Sequence, residues 1–454
     1  MTSVALPLVD GVQVVVPDSL DLITPYVLRE QLDWFEDELR FLRGLLQPGQ
    51  QVIDIGANYG VYALSMAKAV GAGGRVWAFE PATSTADFLA RGIAANGFDH
   101  VVLERSALSS ASGSARLSLH DNAELNELVR DDSAAGGATE TVPLTTLDDC
   151  LDRFGWQDID VMKIDAEGEE TNILKGGARF FARLSPLVVY EVKAGQDLHL
   201  ELVSAFADLG YRSYRLVPGL GLLTPFLPGD TPDGYLLNLF CCKPDRAARL
   251  TAAGVLVEAP AATPLPAARH HWREALATQP FATAFADAWS RPGADSAVAT
   301  ALSLYAMSRD SALPAPERLA ALTASLRHWQ ELCARDPRHL RLLSLARVAR
   351  EAGARSLAVR ALSQQAGLIV QQKRAEAGEP FLPASARFEA IAPGAASGNW
   401  ILGSVLEALE LQSAFSSFYT GAAARQRLEA IVQLGFASPE MQRRLDLLRQ
   451  RLPA

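Results

Sequence analysis

Short apolar runs recur through the first half of the chain, and between most of them apolar positions return at helical spacing. Residues 51–55, 75–80, 101–105, 160–164, 187–192, 211–216 and 237–242 are the strand candidates. Strands alternating with helices predict a parallel α/β sheet covered on both faces. No long helix separates the last two candidates, so the final strand is expected to run antiparallel. Thr146 and Ser84 are expected helix caps, and residues 26–38 are expected to form one amphipathic helix ahead of the sheet.

From about residue 270 onward the pattern changes to helical spacing throughout. Segments 271–277, 282–290, 297–308, 316–334, 338–352, 355–375, 400–418 and 422–434 read as helices, many of them separated by Pro or Gly. Pro260, Pro264 and Pro266 among Ala and Thr mark 245–266 as a linker. The expected organisation is therefore 1–244 as an α/β domain, 245–266 as linker and 267–454 as an all-α bundle or solenoid. At 454 residues two domains are the natural expectation.

Composition sharpens this only a little. The chain is 49% hydrophobic and 21% charged, the profile of a soluble globular protein. No apolar stretch reaches membrane-spanning length and the start lacks signal-peptide character, so the expected location is cytoplasmic. Residues 246–454 hold 24 basic and 17 acidic side chains, leaving 18 and 35 for the first 245. The basic residues are dispersed, which favours composition bias in Ala-rich helices over docking of the two halves or an anionic partner on the second. Cys150, Cys241, Cys242 and Cys333 have no metal-ligand spacing and are expected to be buried thiols.

Chemistry concentrates at the ends of strand candidates. Val52 to Gly60 reads VIDIGANYG, a buried strand turning into a helix through glycines spaced GxxxG. Such a turn at the carboxyl edge of a parallel sheet suits a nucleotide-type cofactor, with Gly56 and Gly60 expected to admit the ligand. The pyrophosphate fingerprint is GxGxxG, so phosphate cradling is the weaker reading. Glu80 ends the second strand, where a ribose-binding carboxylate is expected.

Four blocks then fall in order: DIGANYG from Asp54 to Gly60, AFEP from Ala78 to Pro81, Leu147-Asp148, and KIDAEGEE from Lys163 to Glu170 with ILKGG following. Together they resemble the FkbM-type S-adenosylmethionine-dependent methyltransferases over about residues 20–243. The resemblance implies a class I, Rossmann-like sheet of seven strands, S-adenosyl-L-methionine as methyl donor, and O-methylation of a sugar or natural-product hydroxyl. It places Asp54, Gly56, Asn58 and Gly60 around the methionine end of the donor and Glu80 on its ribose. Ser106 and Ala107, after the third strand, fall at the adenine edge. The second half loosely resembles tetratricopeptide units near residues 340–361, without a clean repeat.

A base for the acceptor hydroxyl is expected at the same sheet edge: Asp165 first, then Glu191. Asp165, Glu167 and Glu191 could together hold Mg²⁺, but no metal is assigned. Lys163 is expected to pair with an acid. Tyr26 and Glu30 are weighed as lid contacts against core packing, and the polar stretch with His120, Asp121, Asn122 and Asn126 as an acceptor-facing loop. The leading expectation is an O-methyltransferase acting on a glycan or glycosylated acceptor, its C-terminal helices serving partner binding or self-association. A catalytically silent donor-binding adaptor and an NAD-dependent dehydrogenase are the alternatives, with no nucleic-acid partner and no membrane span.

Overall fold

The computed structural model describes residues 2–129, 138–194, 197–198, 200–227, 229–261, 272–290, 296–372 and 378–452. The chain forms two compact units. The first comprises residues 1–216, 225–230 and 236–252; the second comprises 217–224, 231–235 and 253–454.

In the first unit the sheet is built from β1 (Gln51–Ile55), β2 (Arg75–Phe79), β3 (Val101–Glu104), β4 (Val161–Ile164), β5 (Leu187–Glu191), β6 (Arg212–Val217) and β7 (Asn238–Cys242). Their spatial order is β6-β7-β5-β4-β1-β2-β3. Strands β1 to β5 are mutually parallel, and β7 runs antiparallel to both neighbours. The seven expected strands and the reversed last strand are present, but the sheet has eight strands: Leu222–Pro225 adds one more beside β6. Val52, Ile53, Val76, Met162, Val188 and Phe240 are fully buried, which is why these segments read as continuous apolar runs. The order of crossovers reverses between β1 and β4, so the ends of those strands open the crevice where open α/β sheets bind ligands.

Two local expectations need correction, and one element was not anticipated. A hairpin of Ser3–Pro7 and Gln13–Pro17 precedes the sheet. The anticipated single helix at 26–38 is two, α1 (Ile23–Gln31) and α2 (Asp37–Leu45), because Leu32 adopts a left-handed conformation with φ 60° and ends the first. Tyr26 and Glu30 are fully buried within α1, which agrees with core packing over a lid contact. Ser84 lies inside the helix Thr83–Asn96, whose N-cap is Ala82 without a side-chain bond. Thr146 does cap Leu147–Phe154, accepting from the Asp149 N–H at 3.0 Å.

The polar stretch after β3 is folded rather than an open loop. Gly113–Leu119 pairs antiparallel with Ala138–Thr145, flanked by Ala107–Leu108 and Glu127–Leu128. Asn122 Oδ1 accepts from the Ile23 N–H at 2.9 Å, and Glu124 accepts from the amide and hydroxyl of Thr24, so this stretch is tied to the start of α1.

The first residues of the expected linker form a helix, Pro244–Ala252. Its buried Arg246 reaches Asp158 and Asp160 at 3.4 and 3.3 Å and donates to the Ile159 carbonyl at 3.0 Å, which holds the helix on the first unit. All four cysteines are unpaired and buried.

The second unit is helical, and consecutive helices pack on one another: Ser296–Ser308 on Ala315–Arg335, then His339–Glu351 on Arg355–Gln372. A last helix, Pro439–Arg451, lies beyond the expected ones. Buried ion pairs run through it; Glu410, fully buried, meets Arg427 at 2.5 Å and Arg444 at 3.4 Å. Two segments that precede β7 in sequence belong to this unit. The Gly219 amide donates to Glu351 at 2.8 Å, and Tyr235 packs on Phe415 and under Arg355. Asp233 accepts from the Ser356 amide at 2.9 Å and from its hydroxyl at 2.9 Å, capping the helix that begins at Arg355. Among the described residues no helix is long and apolar enough to cross a membrane.

Asp233→Ala removes that cap and leaves the Ser356 amide without it. The expected cost is about 1–2 kcal/mol, read as a lower urea midpoint with an unchanged slope.

Candidate functional site

The turn after β1 is locked from within. Gly56 and Ala57 donate their amides to the Phe79 carbonyl at 3.1 and 2.9 Å, and Gly60 donates to Ala57 at 2.8 Å. Asn58, left-handed at φ 49°, donates to Glu80 Oε2 at 2.9 Å, while its own Oδ1 accepts from Tyr59 at 2.7 Å. Five successive amides are therefore consumed inside the protein. None is left to cradle a pyrophosphate, which is the physical content of GxxxG in place of GxGxxG.

The glycines serve a different purpose from the one expected. A Cβ on Gly56, at φ 76°, would lie 1.7 Å from the Asp165 carbonyl oxygen. One on Gly60 would lie 2.4 Å from Leu89 and 3.2 Å from Leu64. Protein, rather than ligand, fills the space that each missing side chain leaves.

The loop and its neighbours present acceptors. Asp54 on β1 is fully buried and neither carboxylate oxygen has a hydrogen-bond partner. Burial pushes its pKa up to about 6, opposed by the Lys163 ammonium. Glu80, just past β2, accepts from Asn58 through one oxygen and from Ala82 at 2.9 Å through the other, bridging the two turns. Burial raises it to about 7 against those two bonds. Ser106 is buried with an unpartnered hydroxyl, and Ala107 beside it is buried at the start of a short strand. An orphaned carboxylate, a half-used carboxylate and an orphaned hydroxyl lie at the ends of three adjacent strands. This set fits a ligand that brings an ammonium, vicinal hydroxyls and a polar ring edge.

Beside it lies an acidic edge. Lys163 is the register partner of Asp54 and, two residues later, Asp165 continues the same face. Lys163 Nζ lies 2.6 Å from Asp165 Oδ2 and 4.9 Å from the centre of the Tyr62 ring. Burial works against its charge, yet Asp165 and Asp54 more than offset this and hold the ammonium above its ordinary pKa. The expected pairing of Lys163 with an acid is thus Asp165. Glu191 closes β5, and oxygen atoms of Asp165, Glu167 and Glu191 lie within 4.8 Å of one another. Burial and then the Asp165 charge raise Glu167 to about 8 and Glu191 further above the usual carboxylate range. Asp165 remains 35% exposed. The other acids of the block are anchors: Glu169 accepts from Ser109 at 2.9 Å, and Glu170 from the Ala166 amide at 3.0 Å.

Two residues of this edge escaped the sequence reading. Glu36, in the connector between α1 and α2, accepts from Trp34 Nε1 at 2.8 Å, Tyr62 OH at 2.5 Å and Asn238 Nδ2 at 3.0 Å. Asn238 is the register partner of Glu191 across β5 and β7. An amide at the head of the otherwise apolar run Leu239 to Cys242 was the available signal for Asn238. Nothing in its spacing marks Glu36.

The doubly wound sheet with its reversed last strand carries an amide-saturated glycine turn and acids ending β2, β4 and β5, and the proteins this chain is similar to are methyltransferases. Residues 54–213 match the family model described as methyltransferase FkbM domain. Methyltransferase sdnD of Sordaria araneosa is 28% identical over 189 residues, spanning 35% of this chain and 73% of that protein. Among solved structures, a SAM-dependent methyltransferase from Aquifex aeolicus is 16% identical with a TM-score of 0.27, covering 48% of this chain and 92% of its own. A methyltransferase from Streptococcus mutans in complex with SAH is 11% identical with a TM-score of 0.27, covering 45% and 95%.

Gly56→Ala forces a left-handed backbone onto alanine and drives its Cβ into the Asp165 carbonyl. A loss of at least about 3 kcal/mol is expected in chemical denaturation, well above that of an alanine at the open, exposed Gly97.

Proposed function

We propose that the protein transfers the methyl group of S-adenosyl-L-methionine to a hydroxyl of a glycan or glycosylated acceptor. The observation that carries the donor assignment is Asp54, a buried carboxylate without a partner next to a turn whose amides are all spent. An ammonium-bearing donor satisfies Asp54, directly or through a bound water. A dinucleotide would find no free amides in this turn. In this reading Glu80 takes the ribose hydroxyls on its remaining lone pairs, and Ser106 with Ala107 meets the adenine.

Bound donor supplies an already activated methyl carbon, so the chain has two tasks: alignment and removal of one proton. Asp165 accepts the proton of the acceptor hydroxyl as the oxygen–methyl bond forms. Lys163 holds one of its oxygens at 2.6 Å, which fixes the direction of the other. Glu191, carrying a proton because burial and Asp165 disfavour its charge, donates to Asp165 and keeps that acid pointed at the crevice. The acid-rich edge also suits hydroxyl groups, which donate to carboxylates. The glycan class itself rests on the FkbM resemblance together with this acceptor-rich edge. Bundle or solenoid packing in residues 253–454 offers a surface for the acceptor's synthesis machinery or for a second copy.

Calorimetry with adenosylhomocysteine tests the donor site. Asp54 has a folded pKa raised above its ordinary value, so in the free protein it is largely protonated below pH 6 and must release that proton to receive an ammonium. Affinity should weaken about tenfold from pH 7 to pH 5, with Glu80 adding to the loss from pH 8 downward. Asp54→Asn should bind more weakly at pH 7 and lose its share of the slope. Preferential binding of NAD would sink the reading. Labelled-methyl transfer from adenosylmethionine to the cell's glycan fraction tests the reaction, and Asp165→Asn should reduce it at least about a hundredfold. Donor binding with no transfer to any fraction would favour the silent adaptor.

A further inference from the structure

Glu36 lies outside the matched domain and breaks a local rule. It occupies the N-cap of α2, where a short polar side chain normally accepts from the helix amides, yet its carboxylate makes no such bond. It turns instead onto the sheet face that carries Lys163 and Glu191. One of its oxygens takes two donors, Tyr62 OH at 2.5 Å and Asn238 Nδ2 at 3.0 Å; the other takes Trp34 Nε1 at 2.8 Å. The connector that carries it is itself fixed. Arg43 of α2 grips Asp33 through two nitrogens at 2.7 and 2.8 Å and reaches Ser65 at 2.9 Å.

The two elements joined at Glu36 belong to opposite halves of the site. Tyr62 sits in the helix Val61–Val70, which begins at the end of the donor turn, and its ring covers the Lys163 ammonium. Asn238 opens β7 in register with Glu191. We infer that Glu36 is a positioning residue of the transfer site, a clamp that sets the separation between the donor-side helix and the strand pair carrying Glu191. The inference rests on the methyltransferase reading of this site. A carboxylate is required because both oxygens must accept; a glutamine presents one donor to groups that are themselves donors.

The clamp also places a negative charge beside Glu191. The groups facing Glu191 are Asp165 and Glu167 from the turn after β4, Glu36 from the α1–α2 connector, and the uncharged Asn238 from β7. All three charges act in the same direction on it. Glu36→Gln removes this charge together with one acceptor, so an unmoved Glu191 midpoint in the folded variant would mean that Glu36 is not held beside Glu191.

The test uses the full chain, with adenosylhomocysteine as the binding probe and carboxyl-¹³C glutamate as the spectroscopic one. Glu191 is assigned as the signal lost in Glu191→Gln. In Glu36→Gln its titration midpoint should fall by about one pH unit, while adenosylhomocysteine affinity stays within about threefold. The exchange Glu36→Gln with Asn238→Asp reverses donor and acceptor while keeping the charge, and should return the midpoint to or above its original value. An unmoved midpoint in folded Glu36→Gln overturns the proposal, as does a loss of donor affinity beyond tenfold, which would make Glu36 part of the donor site. Should Glu36→Gln not fold, the exchange variant decides: a folded protein with the original affinity and midpoint supports the clamp, and one that fails to fold, or folds with a lowered midpoint, overturns it. A parent protein that does not bind adenosylhomocysteine overturns the donor reading first, and this proposal with it.

Discussion

One buried ammonium organises the edge of this sheet. Lys163 sits 2.6 Å from Asp165, beneath the Tyr62 ring, in register with Asp54, and within the field of Glu36. Each of those carboxylates would be costly to bury alone, and Lys163 lowers the penalty for both Asp54 and Glu36. The arrangement is stable because no member is dispensable: deleting the cation leaves several partly buried acids facing one another, a loss of the kind that costs about 3–5 kcal/mol. An apolar residue at 163 would repack the strand but could not orient Asp165.

Backbone contact carries the same constraint from the acids to the turn after β1. Gly56 lies so close to the Asp165 carbonyl that no side chain fits between them. Glu80 then ties the turn after β1 to the turn after β2 through the amides of Asn58 and Ala82. Three turns that would otherwise be independent loops become one rigid edge. Methyl transfer gains most from such rigidity, since misplacement by about 1 Å costs about a hundredfold in rate.

The strand segments, the reversed last strand and the convergence of Asp54, Glu80, Asp165 and Glu191 on one edge were legible from sequence. Buried parallel strands are apolar throughout, and strand ends in such a sheet share an edge whatever the tertiary detail. Glu36 and Asn238 were not legible, since their meeting depends on register and on where Leu32 breaks the preceding helix. The role of the glycines was misread for a related reason: GxxxG states that no Cβ fits, but not whether ligand or protein occupies the space. Linker composition misled at residues 245–252, where the buried Arg246 anchors a helix through Asp158 and Asp160. Residues 217–224 and 231–235 look like loop in sequence, yet Asp233 and Tyr235 find their partners at Ser356, Arg355 and Phe415, more than a hundred residues away.

Backbone strain marks the same edge independently of charge. Among the described residues, those other than glycine with positive φ are Leu32, Asn58 and Glu167. Leu32 opens the connector that delivers Glu36; Asn58 is the centre of the turn after β1; Glu167 lies in the turn that follows Asp165. Such conformations cost about 1–3 kcal/mol each and persist only where neighbouring contacts fix them. Those contacts are visible in each case. The Leu32 amide donates to Leu28 at 3.0 Å, Asn58 is held by Glu80 and by its own bond to Tyr59, and Glu167 lies between two amides that both donate to Glu170. The strain and the unpaired Asp54 therefore occupy one region, and the contacts that hold the strained turns are also those that aim its acids. The fold gives up stability here because a relaxed edge would leave these acids free to drift apart.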